Sequence, residues 1–115
     1  MPRTHRKESI AELLREVVAK FVHEEFNPPE DAVVTITRVE VADDLETASV
    51  YATVLPDALE AETMRHLVNF TGEVQYELLK HLRIRPIPRI TFIPDTGQRN
   101  ADVVEEELYR LKDGQ

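Results

Sequence analysis

The sequence predicts an α+β domain in which helices cover one face of a small three-stranded sheet. Three observations predict it. Apolar residues recur at steps of three and four through residues 10–26, the spacing of an amphipathic helix. Two runs rich in β-branched side chains follow closely at 33–41 and 48–55, and a third, 89–94, comes only after another helical stretch. A chain of 115 residues with 42% apolar content can fill one core and is too short for two.

The first helix carries the stripe Ile10, Leu13, Leu14, Val17, Val18, Phe21, Val22 and Phe26. Ser9 or Thr4 can cap its start, the pairs Glu12–Arg15 and Glu16–Lys20 lie one turn apart on its wet side, and Asn27-Pro28-Pro29 stops it. In the strand at 33–41 the alternation changes parity near Arg38: Val34 and Ile36 make one inward set, Val39 and Val41 another. Either a bulge shifts the register or both faces are partly covered. Asp43-Asp44-Leu45-Glu46 is a polar break short enough for an antiparallel hairpin with 48–55, whose Val50, Ala52 and Val54 share a face.

Pro56 ends that strand, and Asp57 can cap a second helix with Leu59, Met64, Leu67 and Val68 as its stripe. Gly72 interrupts the helical pattern and predicts a break, with a further helix presenting Val74, Leu78, Leu79 and Leu82. Pro86 and Pro88 forbid helix, so Arg89–Pro94 reads as an edge or terminal strand with Ile90 and Phe92 inward. Residues 101–112 carry Val103, Val104, Leu108 and Leu111 at helical spacing in a polar setting. The expected division is a folded domain at 1–95 and a polar extension with a short helix at 96–115.

Several chemistries find no material. Without cysteine there is no disulfide framework, thiolate metal site or cysteine nucleophile. The histidines His5, His23, His66 and His81 show no paired ligand spacing, so no metal is expected, and the three glycines match no phosphate-cradling loop, so no cofactor is expected. Ser9 and Ser49 lack a nucleophile elbow, and the adjacent acids at 24–25, 43–44 and 105–107 read as solvated. An enzyme, or any small-molecule substrate, is not expected. No apolar run approaches the roughly 20 residues of a membrane span, and the basic N-terminus lacks the apolar core of a secretory signal, so a cytoplasmic protein is expected.

Charge is segregated rather than mixed. The net charge is −8, from 22 acids and 14 bases, yet residues 1–7 (Arg3, Arg6, Lys7) and 78–94 (Lys80, Arg83, Arg85, Arg89) contain no acid and together hold +7, leaving −15 on the rest. Such a chain can turn a basic face to a polyanion and an acidic back to solvent. The alternative for the second cluster is ordinary: cations near a helix C-terminus are favoured by the macrodipole, and a solvated loop carries them for solubility.

The arginine-rich opening helix ending in Asn27-Pro28, the run Val34-Thr-Ile-Thr-Arg-Val39-Glu-Val41, Asp44-Leu45 before Ala48-Ser-Val-Tyr-Ala-Thr-Val54, Gly72, and Leu82-Arg-Ile-Arg85-Pro86-Ile-Pro-Arg-Ile-Thr-Phe92 with Asp95 together resemble the bacterial ribosome-binding factor A family of small-subunit assembly factors. The resemblance runs from about Arg3 to the final helix. It implies a type II KH-like fold whose G-x-x-G loop is replaced by a kinked helix junction. It further implies a non-enzymatic factor that binds the free 30S subunit through 16S ribosomal RNA in late maturation and supports growth in the cold. Carried onto this sequence, it points to Arg3, Arg6, Lys7, Gly72, Lys80, Arg83, Arg85 and Arg89 as RNA contacts.

The chain departs from the family pattern around the kink. Thr71 stands where a small residue is common, Gln75 where an arginine is expected, and Glu73 would repel a phosphate there. Arg85 has a structural alternative, pairing with a nearby acid. A reading of another class is a protein-interaction module docking through apolar positions on an open sheet face, such as Tyr51 and Val39. Salt separates the two, because phosphate binding weakens steeply with ionic strength and apolar docking does not. Nothing in the sequence demands more than a monomer.

Overall fold

Helix α1 (Arg3–Glu25) lies across the sheet with Leu14 and Val18 fully buried beneath it. The computed structural model describes residues 3–96, with side chains from residue 6 onward. After α1 come strands β1 (Val33–Val41) and β2 (Thr47–Leu55), helices α2 (Glu60–Asn69) and α3 (Thr71–His81), and strand β3 (Arg89–Pro94). Single 3-10 turns at Pro29–Asp31 and Asp57–Leu59 introduce β1 and α2. The helix expected at 101–112 lies outside the described residues.

The sheet has the order β1-β2-β3, with β1 antiparallel and β3 parallel to the central β2. The parity change in β1 is a bulge. Ile36 pairs with Ala52 and Arg38 with Tyr51, so Thr37 is the extra residue. Val34 and Ile36 before it, and Val39 and Val41 after it, therefore all oppose β2 residues of the buried face: Val54, Ala52, Val50 and Ala48. One inserted residue keeps Val34, Ile36, Val39 and Val41 under the helices, while Val33 at the strand's start stays exposed. Ile90 and Phe92 of β3 complete that face.

Three expectations about helix faces and caps are corrected. α1 begins before Ser9 and contains Thr4, so neither is its cap. Asp57 sits in the 3-10 turn and makes no capping hydrogen bond. Leu13, Val68 and Leu79 are exposed, because each stands at the margin of a stripe already filled by Leu14, Leu67 and Leu78.

The junction between α2 and α3 falls at Phe70, not Gly72. The Phe70 amide closes α2 on the His66 and Leu67 carbonyls, and its own carbonyl accepts from the Glu73 and Val74 amides of α3. Its ring packs against Phe21 and Phe26 of the α1 end, with centroids 5.4 and 5.3 Å away. An aromatic wedge, rather than a flexible residue, sets the break. Gly72 is already inside α3, and a Cβ placed on it meets no atom within 4 Å. Gly72→Ala is therefore expected to raise stability by about 0.5–1 kcal/mol. A lower melting midpoint for the variant would show that the position requires glycine.

Candidate nucleic-acid interface

The basic cluster begins where α3 runs out. A helix end leaves its last carbonyls without amide partners. Here Arg85 folds back onto them, its guanidinium donating to the carbonyl oxygens of Leu82 (2.9 Å), Ile84 (2.6 Å) and Leu79 (3.5 Å). The expected pairing of Arg85 with a nearby acid is thus corrected: among the described residues its partners are carbonyls at and just beyond the negative end of the helix dipole.

At the other end of the loop, Gln75 uses both halves of its amide. Its Nε2 donates to the Pro88 carbonyl at 2.8 Å and its Oε1 accepts the Ile90 amide at 3.1 Å. Leu82 and Pro88 are buried, and Ile84 and Ile87 pack against the core. Between these anchors the cations alternate outward. Arg83 and Arg89 are exposed and, among the described residues, make no side-chain hydrogen bond or ion pair. They are presented on a loop pinned at both ends, a geometry suited to phosphate contact at little ordering cost.

The remaining expected residues scatter. Lys80 lies 3.7 Å from the Glu77 carboxylate and 5.4 Å from the Tyr76 ring centre, on the side of α3 facing away from the loop's tip. Lys7 bonds Asp43 in the β1–β2 turn at 2.8 Å, and this hydrogen bond, followed by the Asp43 charge, raises its pKa above the ordinary value. Arg89 reaches the same turn through its amide, which donates to the Glu46 carbonyl at 2.9 Å. Lys7 and Arg89 therefore stand at one end of the sheet, with Arg6 exposed one residue before Lys7. Arg3 opens α1, and its side chain lies outside the described residues. Gly72 is at the opposite end of α3, roughly 15 Å along the axis from the basic loop, with Glu25 and Glu73 as neighbours. Among the described residues it shares a concavity with Lys80 and with none of the loop arginines.

The open face of the sheet is polar. Arg38 lies over the Tyr51 ring at 3.8 Å, pairs with Glu40, and approaches Asp95 at 3.8 Å. The Tyr51 hydroxyl donates to Glu40 at 3.1 Å, and the Thr37 hydroxyl to Asp95. Burial, then the Glu40 charge, raises the Tyr51 pKa above its ordinary value. Val39 belongs to the covered face opposite Val50, which corrects its expected place on the open one.

Gln75 was legible only as a departure, since nothing in a lone glutamine announces backbone partners 13 and 15 residues ahead. Gln75→Leu is expected to cost about 1 kcal/mol for each of the two hydrogen bonds. Thermal melts check this, and an unchanged melt would show that the clamp contributes nothing.

Among the described residues there is no group of three metal-donor side chains, and no helix is long and apolar enough to cross a membrane. The family model described as ribosome-binding factor A matches residues 6–108. The chain belongs to the ribosome-binding factor A family. The family member of Desulfitobacterium hafniense is 40% identical over 109 residues, spanning 94% of this chain and 87% of its own. That of Acidothermus cellulolyticus is 35% identical over 108 residues, 93% and 72% of the two chains. The crystal structure of ribosome-binding factor A from Thermus thermophilus superposes with a TM-score of 0.68 at 23% identity, covering 76% of this chain and 94% of that one. A Thermus thermophilus homology model fitted into a cryo-electron microscopy map of a 30S complex superposes at 0.60, with 23% identity and coverage of 72% and 88%. The ribosome-binding factor A fold is KH-like, and the α+β, type II KH-like expectation stands.

Proposed function

We propose that the protein is a non-enzymatic assembly factor that binds the free 30S subunit through 16S ribosomal RNA. It would act as a cytoplasmic monomer in late 30S maturation, including 16S rRNA processing and growth in the cold. The observation that carries the reading is the pair Arg83 and Arg89, exposed, without side-chain partners among the described residues, and held in the anchored segment that leads from α3 into β3. The family of the chain, and the Thermus relative fitted into a 30S complex, support the same partner.

In this reading the fixed cations neutralise rRNA phosphates while Arg85 and Gln75 keep the loop in shape. Arg6 and Lys7 add charge at the neighbouring end of the sheet. Tighter binding to an immature arrangement than to the mature one would drive release. Docking of a protein through the open sheet face has less support, because its largest aromatic, Tyr51, is already covered by Arg38.

Co-sedimentation with purified small subunits, large subunits and whole ribosomes tests the proposal. The protein is expected to pellet with the small subunit alone, and a variant with alanine at Lys80, Arg83, Arg85 and Arg89 to remain in the supernatant. Equal pelleting of the two chains would sink the assignment of the site. No pelleting of the parent with any particle would sink the function.

A further inference from the structure

We propose that the groove between α1 and α3 docks a basic, amphipathic segment of a partner protein. The groove uses none of the exposed arginines; of the expected RNA contacts it takes in Gly72 and Lys80, which this proposal gives to the protein-docking face instead.

Two open concavities of about 430 and 440 Å³ line up along the helix pair and share Phe21 and Glu77. Their floor is apolar, formed by Val17 and Phe21, and the Phe21 ring is held there by stacking on Phe70 at 5.4 Å. Tyr76 stands on the wall with 63% of its surface exposed, the most exposed large apolar side chain among the described residues. A half-open floor beside an exposed aromatic ring, approached by the Lys80 ammonium alone at 5.4 Å among the described residues, is surface that gains by being covered.

The charge around the groove selects what covers it. Glu16, Glu24, Glu25 and Glu73 rim it, and among the described residues none has an ion-pair or hydrogen-bond partner. Glu77 is engaged by His81 at 2.6 Å and by Lys80 at 3.7 Å. Lys20 and Lys80 are the fixed cations of the groove, outnumbered by its five glutamates. RNA is repelled by such a rim, and so is a second copy of a chain with net charge −8. A segment with apolar residues on one side and lysines or arginines flanking them satisfies both floor and rim. The molecule would then meet RNA with the far end of α3 and a basic protein along its α1 side, so that one helix serves two partners of opposite charge.

Nuclear magnetic resonance titrations of the full chain test this with three probes: a helical lysine-leucine peptide, its glutamate-for-lysine counterpart, and an oligouridine RNA. The basic peptide alone is expected to shift the amides of Phe21, Glu73 and Tyr76. The triple reversal Glu24→Lys, Glu25→Lys, Glu73→Lys should weaken it about tenfold, against about twofold for the same reversal at Asp57, Glu60 and Glu62. Tyr76→Ala, an exposed change that leaves the core intact, should weaken it about fivefold. The proposal is overturned if the basic peptide fails to bind or shifts other surfaces, or if the two reversals act alike. It is equally overturned if RNA shifts the groove amides, or if those amides shift with protein concentration alone.

Discussion

Replacing Arg83 and Arg89 together by alanine is expected to weaken binding to small subunits by about tenfold at physiological salt, each lost phosphate contact removing roughly 0.7–0.9 from the slope of log affinity against log salt. Among the described residues the two side chains have no hydrogen-bond or ion-pair partner, so the variant should melt within about 0.5 kcal/mol of the parent. That separation of binding from stability is the useful part. Arg85→Ala, by contrast, removes three contacts to backbone carbonyls at and just beyond the end of α3 and should lower stability and binding together. Lys80→Ala should do little, since its ammonium already faces Glu77. Pelleting at graded potassium chloride measures the slope directly. A parental slope in the double variant would remove the two arginines from the interface.

Leu78→Ala should be the most damaging single change to the fold, costing about 3–5 kcal/mol. Leu78 is fully buried, in line with Val74 and Leu82 on the inner side of α3. Truncation leaves a cavity that α1 and β3, the elements packed on α3, cannot readily close, since Leu14, Val18 and Ile90 are themselves buried. For a domain of this size the loss corresponds to roughly 15 °C or more in melting temperature, and it approaches a third of typical total stability. Its functional echo is indirect: α3 supplies both Gln75 and the carbonyls held by Arg85, so RNA binding should fall near the new transition. A variant melting within a few degrees of the parent would contradict the packing described.

The elements whose information is local were readable in advance. Val34, Ile36, Val39 and Val41 announced a parity change, and the bulge at Thr37 is its physical form. Proline brackets defined β3, with Ile90 and Phe92 inward. What escaped depends on partners distant in sequence. The break between α2 and α3 looked like a property of Gly72, whereas it is made by Phe70 wedging against Phe21 and Phe26, some fifty residues earlier. Val39 could not be assigned a face until its partner Val50 was known. The cations formed a cluster in sequence, but only the fold shows that Arg83 and Arg89 are free while Arg85, Lys7 and Lys80 are engaged. The acidic groove was invisible because its rim is assembled from two helices separated by two strands and a further helix.

The mixed sheet has a consequence for the order in which the molecule is assembled. β1 and β2 are neighbours joined by the short turn 42–46, so their pairing closes a small loop and can form within microseconds. β3 must pair in parallel with β2 across the whole of residues 56–88, and that pairing gains nothing until α2 and α3 are in place to span the gap. Arg89 is the first residue of β3, and the Gln75 clamp exists only once β3 has docked. The surface assigned to RNA is thus the last to mature. In the proposed function, a chain whose β3 has not yet docked would lack the completed loop, so that an unfinished molecule would bind its target poorly.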